Sequence, residues 1–291
     1  MKNLCKLVDK KSEVLCQIPD SVYAMTASFK DVFLSSPDEG IIYKYSNGEL
    51  LKWCSNIPGV HGIDGTADLI FCESADLHFF HLRIFDRMFT NLTGNIGRQA
   101  IGSIKSDRTI PHPRINGLHC HLKSGTIFFA VPERHAVFSL WRDGGIIVAA
   151  GEDLKEGFSI GTNGSGLLSH PSDIETDRDV MFISDAGNHV IREFFIDKKC
   201  YGRMLGQPME DGLVDGVSFN AKLKNPTDLH SHNNILYFID DYKYIRASII
   251  KSFTVNTLYQ DPFRIEALTT DFDGNVYFIQ SRPDVESRIP S

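Results

Sequence analysis

Six short stretches of the chain place a polar or amphipathic residue between apolar neighbours. They are Val22-Tyr-Ala-Met25, Val60-His-Gly-Ile63, Ile115-Asn-Gly-Leu118, Pro171-Ser-Asp-Ile174, Pro226-Thr-Asp-Leu229 and Ile265-Glu-Ala-Leu268. The second positions, Tyr23, His61, Asn116, Ser172, Thr227 and Glu266, form a candidate ring, with Asp173 and Asp228 one residue further on. His, Asn and Glu are residue types that coordinate a divalent cation. The two aspartates can orient such an ion or accept backbone N–H bonds. The alternative is that all eight are polar simply because they line a wet channel. His119, His121, His230 and His232 follow the tetrads and read as surface or supporting groups. The chain contains no GxSxG, Cys–His pairing, P-loop or HExxH motif.

What positions these residues is a repeat. Each tetrad precedes a short apolar run: Asp31–Ser36, Asp68–Glu73, Thr126–Val131, Val180–Asp185, Ile235–Asp240 and Asn275–Gln280. These runs are rich in β-branched and aromatic residues and end in turn formers, so they predict buried strands. A third strand follows each, at Ile41–Ser46, Phe79–Ile84, Ala136–Trp141, Val190–Phe195, Tyr244–Ile249 and Val285–Ile289. A fourth follows in five units, and Val14–Ile18 is left to complete the sixth. Six four-stranded sheets closed by an N-terminal strand predict an all-β, six-bladed β-propeller. The expectation is a single domain over 1–291, with blades near 21–55, 58–92, 113–150, 170–205, 225–259, and 264–291 plus 13–18. A two-sheet sandwich accounts for neither the six-fold recurrence nor the N-terminal strand.

Within this pattern, Asp185-Ala-Gly-Asn188-His-Val-Ile-Arg192 after Pro171–Ile174 resembles an NHL repeat, and Asn225–Leu229 with Ile235–Asp240 and Tyr244-Ile-Arg246 resembles a second. The other units keep the strands and lose the Asp-x-x-Asn turn. Asp185, Gly187 and Asn188 read as turn punctuation, and Arg192 and Arg246 as partners of carboxylates between blades. The resemblance implies a propeller that serves as an interaction domain. Two enzyme families with related propellers bear on the channel. Peptidyl-amidoglycolate lyases place several histidines around a channel zinc, but only His61 matches the ring here, while His112 and His170 precede their inner strands. The lactonase type uses Glu, Asn and Asp, which Glu266, Asn116 and an aspartate could supply.

The tetrads begin at 22, 60, 115, 171, 226 and 265, so three successive units carry about 17 extra residues each. These lie in connectors 94–113, 151–171 and 206–226, which pad one half of one face. Long loops on a rigid scaffold either bind or cap blade edges.

The net charge of −7 argues against a broad nucleic-acid surface. No run approaches the length of a membrane span. The first eleven residues lack the apolar core of a signal peptide, and the six cysteines are scattered without a CxxC pair. These features predict reduced thiols and a cytoplasmic location. The leading expectation is a noncatalytic domain that recognises a protein or peptide through one face, with no cofactor. The alternative is a metal-dependent hydrolase or lyase with a cation in the channel.

Overall fold

A computed structural model describes residues 1–56, 60–65, 69–74, 79–83, 89–91, 115–121, 123–141, 145–161 and 165–282. Between residues 57 and 114, side chains are described for Ile63 and Asp64 alone. The strands run β1 (Lys2–Val8), β2 (Lys11–Ile18), β3 (Ala24–Ser28), β4 (Asp31–Ser36), β5 (Ile41–Ser46), β6 (Glu49–Ser55), β7 (Val60–Gly65), β8 (Leu69–Ser74), β9 (Phe79–Arg83) and β10 (Phe89–Asn91). They continue with β11 (Asn116–His121), β12 (Thr126–Val131), β13 (Ala136–Leu140), β14 (Ile146–Gly151), β15 (Pro171–Asp177), β16 (Val180–Asp185), β17 (Val190–Phe195) and β18 (Cys200–Leu205). Last come β19 (Gly216–Val217), β20 (Thr227–His232), β21 (Ile235–Asp240), β22 (Tyr244–Ile249), β23 (Thr254–Gln260), β24 (Arg264–Thr270) and β25 (Val276–Ser281).

Hydrogen bonding groups them into six antiparallel sheets, ordered β3-β4-β5-β6, β7 to β10, β11 to β14, β15 to β18, β20 to β23 with β19 on the outer edge, and β24-β25-β1-β2. The innermost strands form a closed circuit: β3 lies beside β7, β7 beside β11, β11 beside β15, β15 beside β20, β20 beside β24, and β24 beside β3. The middle strands are apolar on both faces because each sheet is sandwiched between two others. In the last sheet Ile279 faces the core shared with the first sheet, while its neighbour Phe278 faces the core shared with the fifth.

The last sheet departs from the expected pairing. Residues 285–289, read as its third strand, lie outside the described residues, and β1 holds that position, hydrogen-bonded along β25 from Lys2↔Ser281 to Leu7↔Val276. Residues 14–18 belong to β2, the outermost strand. The N-terminus therefore contributes a hairpin, two strands in place of one. The physical reason lies in β1 itself: Leu4 and Cys5 are both fully buried, one in each flanking core, as a third strand requires.

The arginines also differ from expectation. Arg192 and Arg246 are fully buried, and each pairs within its own sheet, with Asp185 (3.3 Å) and Asp240 (2.6 Å) respectively. Their terminal guanidinium nitrogens also hold the preceding connector. Arg192 donates to the carbonyls of Leu167 (2.8 Å) and Ser159 (2.7 Å). Arg246 donates to those of Lys222 (2.8 Å) and Val214 (2.9 Å), and also pairs with Asp215 (2.9 Å). In the third sheet the buried Arg134, in the turn after β12, pairs with Asp153 of the connector that follows that sheet. Asp185 completes the arrangement by accepting the Ser169 N–H (2.7 Å) and the Asn188 amide (2.8 Å). Gly187 sits so close to Ser169 that a Cβ there would lie 2.2 Å from its hydroxyl, which leaves room for glycine alone.

Removing one partner of a buried ion pair strands the other charge away from water. Arg246→Ala is expected to lower unfolding free energy by about 3–5 kcal/mol, because it leaves the fully buried Asp240 without its charge partner. Arg178→Ala, at a side chain 90% exposed, is expected to stay within about 0.5 kcal/mol of the parent. Urea unfolding of the two variants checks both.

Candidate functional site

Five of the six inner strands, β7, β11, β15, β20 and β24, break register with their neighbours at or just after the second tetrad residue. A bulge re-aims side chains that strict alternation would send to opposite faces. Around it, residues from the second, third and fifth positions of the tetrad columns come to line one space. They enclose a cavity of about 1080 Å³ that opens on the face carrying the tetrads. Asp228 adopts φ +54° and Gly117 φ +61° at equivalent third positions. A Cβ on Gly117 would meet the Asp173 carboxylate at 1.9 Å, so the third position admits glycine here for space as well as for φ.

Tyr23, Asn116, Ser172, Thr227 and Glu266 line the cavity, as do Asp173 and Asp228. His61 lies on β7, and its side chain is outside the described residues. Several of these groups are already engaged. Ser172 Oγ donates to the Pro226 carbonyl of the next sheet (2.9 Å). Glu266, the carboxylate offered as a cation ligand, pairs with the buried Lys2 Nζ at 2.7 Å. Lys2 also donates to the Val22 carbonyl (2.7 Å) and sits 4.3 Å from the centre of the Tyr23 ring. The lysine thus neutralises Glu266 and ties the two ends of the circuit together at the mouth.

Deeper in, the structure corrects the reading of the histidines. His119 and His230 are not surface groups: both line the cavity beside Asp64 and Glu175. All four occupy the fifth place of the tetrad column, together with Thr26 and Thr269, which are buried. His119 Nδ1 lies 3.2 Å from Glu175 Oε2 and 3.7 Å from Asp64 Oδ2. Burial opposes charge on His119, but Glu175 and Asp64 outweigh it and push the imidazolium up to about 10. Burial also works against Glu175, yet the His119 charge and hydrogen bonds from His119 and Ser231 hold it below the usual range. Burial lowers His230. The cavity floor therefore holds a charged His119–Glu175 pair next to a neutral imidazole, a set able to donate and accept protons.

The carboxylates nearby also stitch neighbouring sheets. Asp64 accepts the Cys120 N–H (3.0 Å), Asp173 that of Leu229, and Asp228 that of Leu268. Burial, then the nearby Asp228 charge, raises Asp173 well above the usual range, and burial raises Asp228 to about 7.

The padded face has a definite form. The 3-10 turns Pro132–Arg134 and Ala186–Asn188 reach the cavity rim through Pro132, Ala186 and Gly187. The described connectors lie over these turns, with the Leu154 N–H bonded to Arg134 and the Met209 N–H to Asn188. Each connector buries one leucine, Leu168 or Leu223, and exposes another apolar residue, Leu154 (47%) or Met209 (70%). Capping and presentation thus occur in one segment. Connector 94–113 and His112 lie outside the described residues.

No family model matches the chain, and no curated protein matches it by sequence. Solved structures do. A chain of the nidogen/laminin complex superposes with TM-score 0.61 at 15% identity, covering 92% of this chain and 98% of that one. A streptogramin B lyase superposes with TM-score 0.57 at 14% identity, covering 96% and 97%. The fold is a β-propeller. An auxiliary nutrient binding protein from Bacteroides thetaiotaomicron VPI-5482 shares it, with TM-score 0.61, 14% identity and coverage of 96% and 76%. At these identities the likeness is one of fold, and the propellers named differ widely in what they do. No helix among the described residues is long and apolar enough to cross a membrane.

The carboxyl groups make the propeller's stability depend on pH. Asp228 titrates near 7 when folded, against an ordinary value of 3.8. Between these values the folded chain binds more protons than the unfolded one, so stability falls as pH rises through the window. Asp228→Asn removes that slope. Relative to the parent, the variant is expected to gain about 2–3 kcal/mol between pH 5 and pH 8 in urea unfolding. A difference between the two proteins that stays constant across these pH values would contradict the assignment.

Proposed function

We propose that this chain is a noncatalytic recognition domain, of NHL-like type with six blades, that binds a peptide segment of a protein partner across the tetrad face. The observation that carries the reading is the pairing of a polar well with an apolar rim on one face. Leu154 and Met209 stand at equivalent points of successive connectors, both in the left-handed backbone region at φ +62°. A large exposed side chain held in that conformation is the kind of strained presentation that accompanies binding. The half-exposed Tyr23 stands at the mouth, and Lys2, Glu266 and Arg264 provide charges of both signs around it. A segment lying over the connectors would bury apolar side chains on Leu154 and Met209 and place a polar group in the well. The net charge of −7 weighs against nucleic acid as the partner.

A second reading is a hydrolase or lyase acting in the channel, with or without a divalent cation. The His119–Glu175 pair beside Asp64 and His230 favours it, since acid and base functions lie within one enclosed space. The neutralisation of Glu266 by Lys2 weakens the version in which Glu266 holds the ion.

Selection of binders from a displayed peptide library tests the first reading. The Leu154→Asp, Met209→Asp double variant is expected to bind the selected peptides at least tenfold more weakly, with an unchanged melting temperature. The Phe29→Asp, Phe272→Asp pair, at the opposite ends of their inner strands, is expected to bind as the parent does. The reverse pattern would move recognition to the other face. Absence of any specific peptide, joined to His119-dependent turnover of an ester or lactone library, would favour the enzyme.

A further inference from the structure

Outside the channel, the described residues bring two histidines and a glutamate together at one place on the rim. His135 follows the turn Pro132–Arg134 in the left-handed conformation, Glu156 lies in the connector, and His170 immediately precedes β15. One ligand atom from each lies within 4.8 Å of the other two. The His170 Nδ1 is 3.5 Å from Glu156 Oε1, and the two imidazole rings meet edge to face with centroids 4.5 Å apart. We infer that His135, Glu156 and His170 form a binding site for a zinc-class transition metal ion, with an open coordination position at the cavity mouth.

The chemistry of the donors supports this. Two imidazoles and one carboxylate are the protein ligands of an open, tetrahedral zinc site whose fourth position is left to water or substrate. Bond lengths near 2.1 Å place neighbouring ligand atoms about 3.4 Å apart, so the set must contract slightly. Glu156 and His170 have half-exposed side chains free to move inward, while His135 is more enclosed. Ser169 Oγ donates to Glu156 Oε1 at 2.8 Å, the kind of supporting bond that orients a ligating carboxylate.

The repeat supplies an internal control. His189 occupies the place of His135 one unit later, with the same left-handed backbone and the same contact, a backbone N–H bonded to Nδ1 at 3.3 Å. At the places of Glu156 and His170, 55 residues on, stand Asp211 and Asn225. The contact between the histidine of the turn and the following inner strand is therefore structural and common to both units. The second histidine is peculiar to one of them, and Asn225 makes the same backbone contact without it. His170 also lines the cavity, so an ion there would face whatever enters it. This inference stands apart from the peptide reading, because its test uses the metal alone.

The test is titration of untagged, chelator-treated protein with Co²⁺, followed by visible absorption and displacement by Zn²⁺. One ion per chain with the strong bands of tetrahedral cobalt is expected. His170→Gln and Glu156→Gln are each expected to weaken binding at least tenfold at unchanged melting temperature, and His189→Gln to leave it as in the parent. Failure of the parent to bind cobalt or zinc would overturn the site, as would equal affinity in His170→Gln. Loss of the ion in His119→Gln with retention in His170→Gln would also overturn it, since the ion would then sit in the channel.

Discussion

The pairing of β1 with β25 is the constraint on which the molecule depends. Without it, β25 would present a free edge and the cores on both sides of the last sheet would be open. The register leaves little freedom: a slip of one residue would exchange the faces of Leu4 and Cys5, each buried in a different core. The same register places Lys2 opposite Ser281, at the end of the strand nearest the mouth. Its ammonium group then falls between Glu266 of the last inner strand and Tyr23 of the first. Closure of the ring and construction of the cavity rim are thus one interaction. The charge balance of the candidate site is set by a residue at the opposite end of the chain from the strand that bears Glu266.

A second economy lies in the buried arginines. The turn aspartates, Asp185 and Asp240, would be costly to bury alone. Arg192 and Arg246 neutralise them and donate from their terminal nitrogens to connector carbonyls. The planar guanidinium suits this because it presents several donors in a fixed arrangement. A connector fastened in this way can expose Leu154 or Met209 at its bend and still hold shape, since Leu168 or Leu223 further along it is fully buried. Rigid presentation of an apolar side chain reduces the entropy lost on binding. The connectors therefore combine the two roles that loop length alone leaves open.

Much of this was legible in the residues, and the failures have physical causes. The tetrads and apolar runs mark the first and second strands of every sheet, because middle strands packed on both faces give continuous hydrophobic runs. The third strand of the last sheet is hard to read because β1, Lys-Asn-Leu-Cys-Lys-Leu-Val, interrupts its apolar residues with lysines and carries no turn motif like its counterparts. The arginine pairing was placed between blades because a one-dimensional spacing of six or seven residues does not tell a cross-strand pair from an inter-sheet one. The second and third tetrad places do line the cavity, which simple alternation would not allow for both. The bulge that makes it possible has no residue signature of its own. The fifth place carries its own signal in the sequence: Thr26, Asp64, His119, Glu175, His230 and Thr269 form a column of polar residues as regular as the first. His135 could not have been grouped with His170, since their meeting depends on how a connector folds back over a turn.

Hydrogen exchange on a chain lacking residues 1–18 measures the closure most directly. If β1 seals the ring, amides of Val276–Ser281 should lose their protection, those of the first sheet should follow, and the melting temperature should fall. Unchanged protection in β25 and β3, with an unchanged melting temperature, would contradict the account: the sheets would then be held together without the N-terminal hairpin.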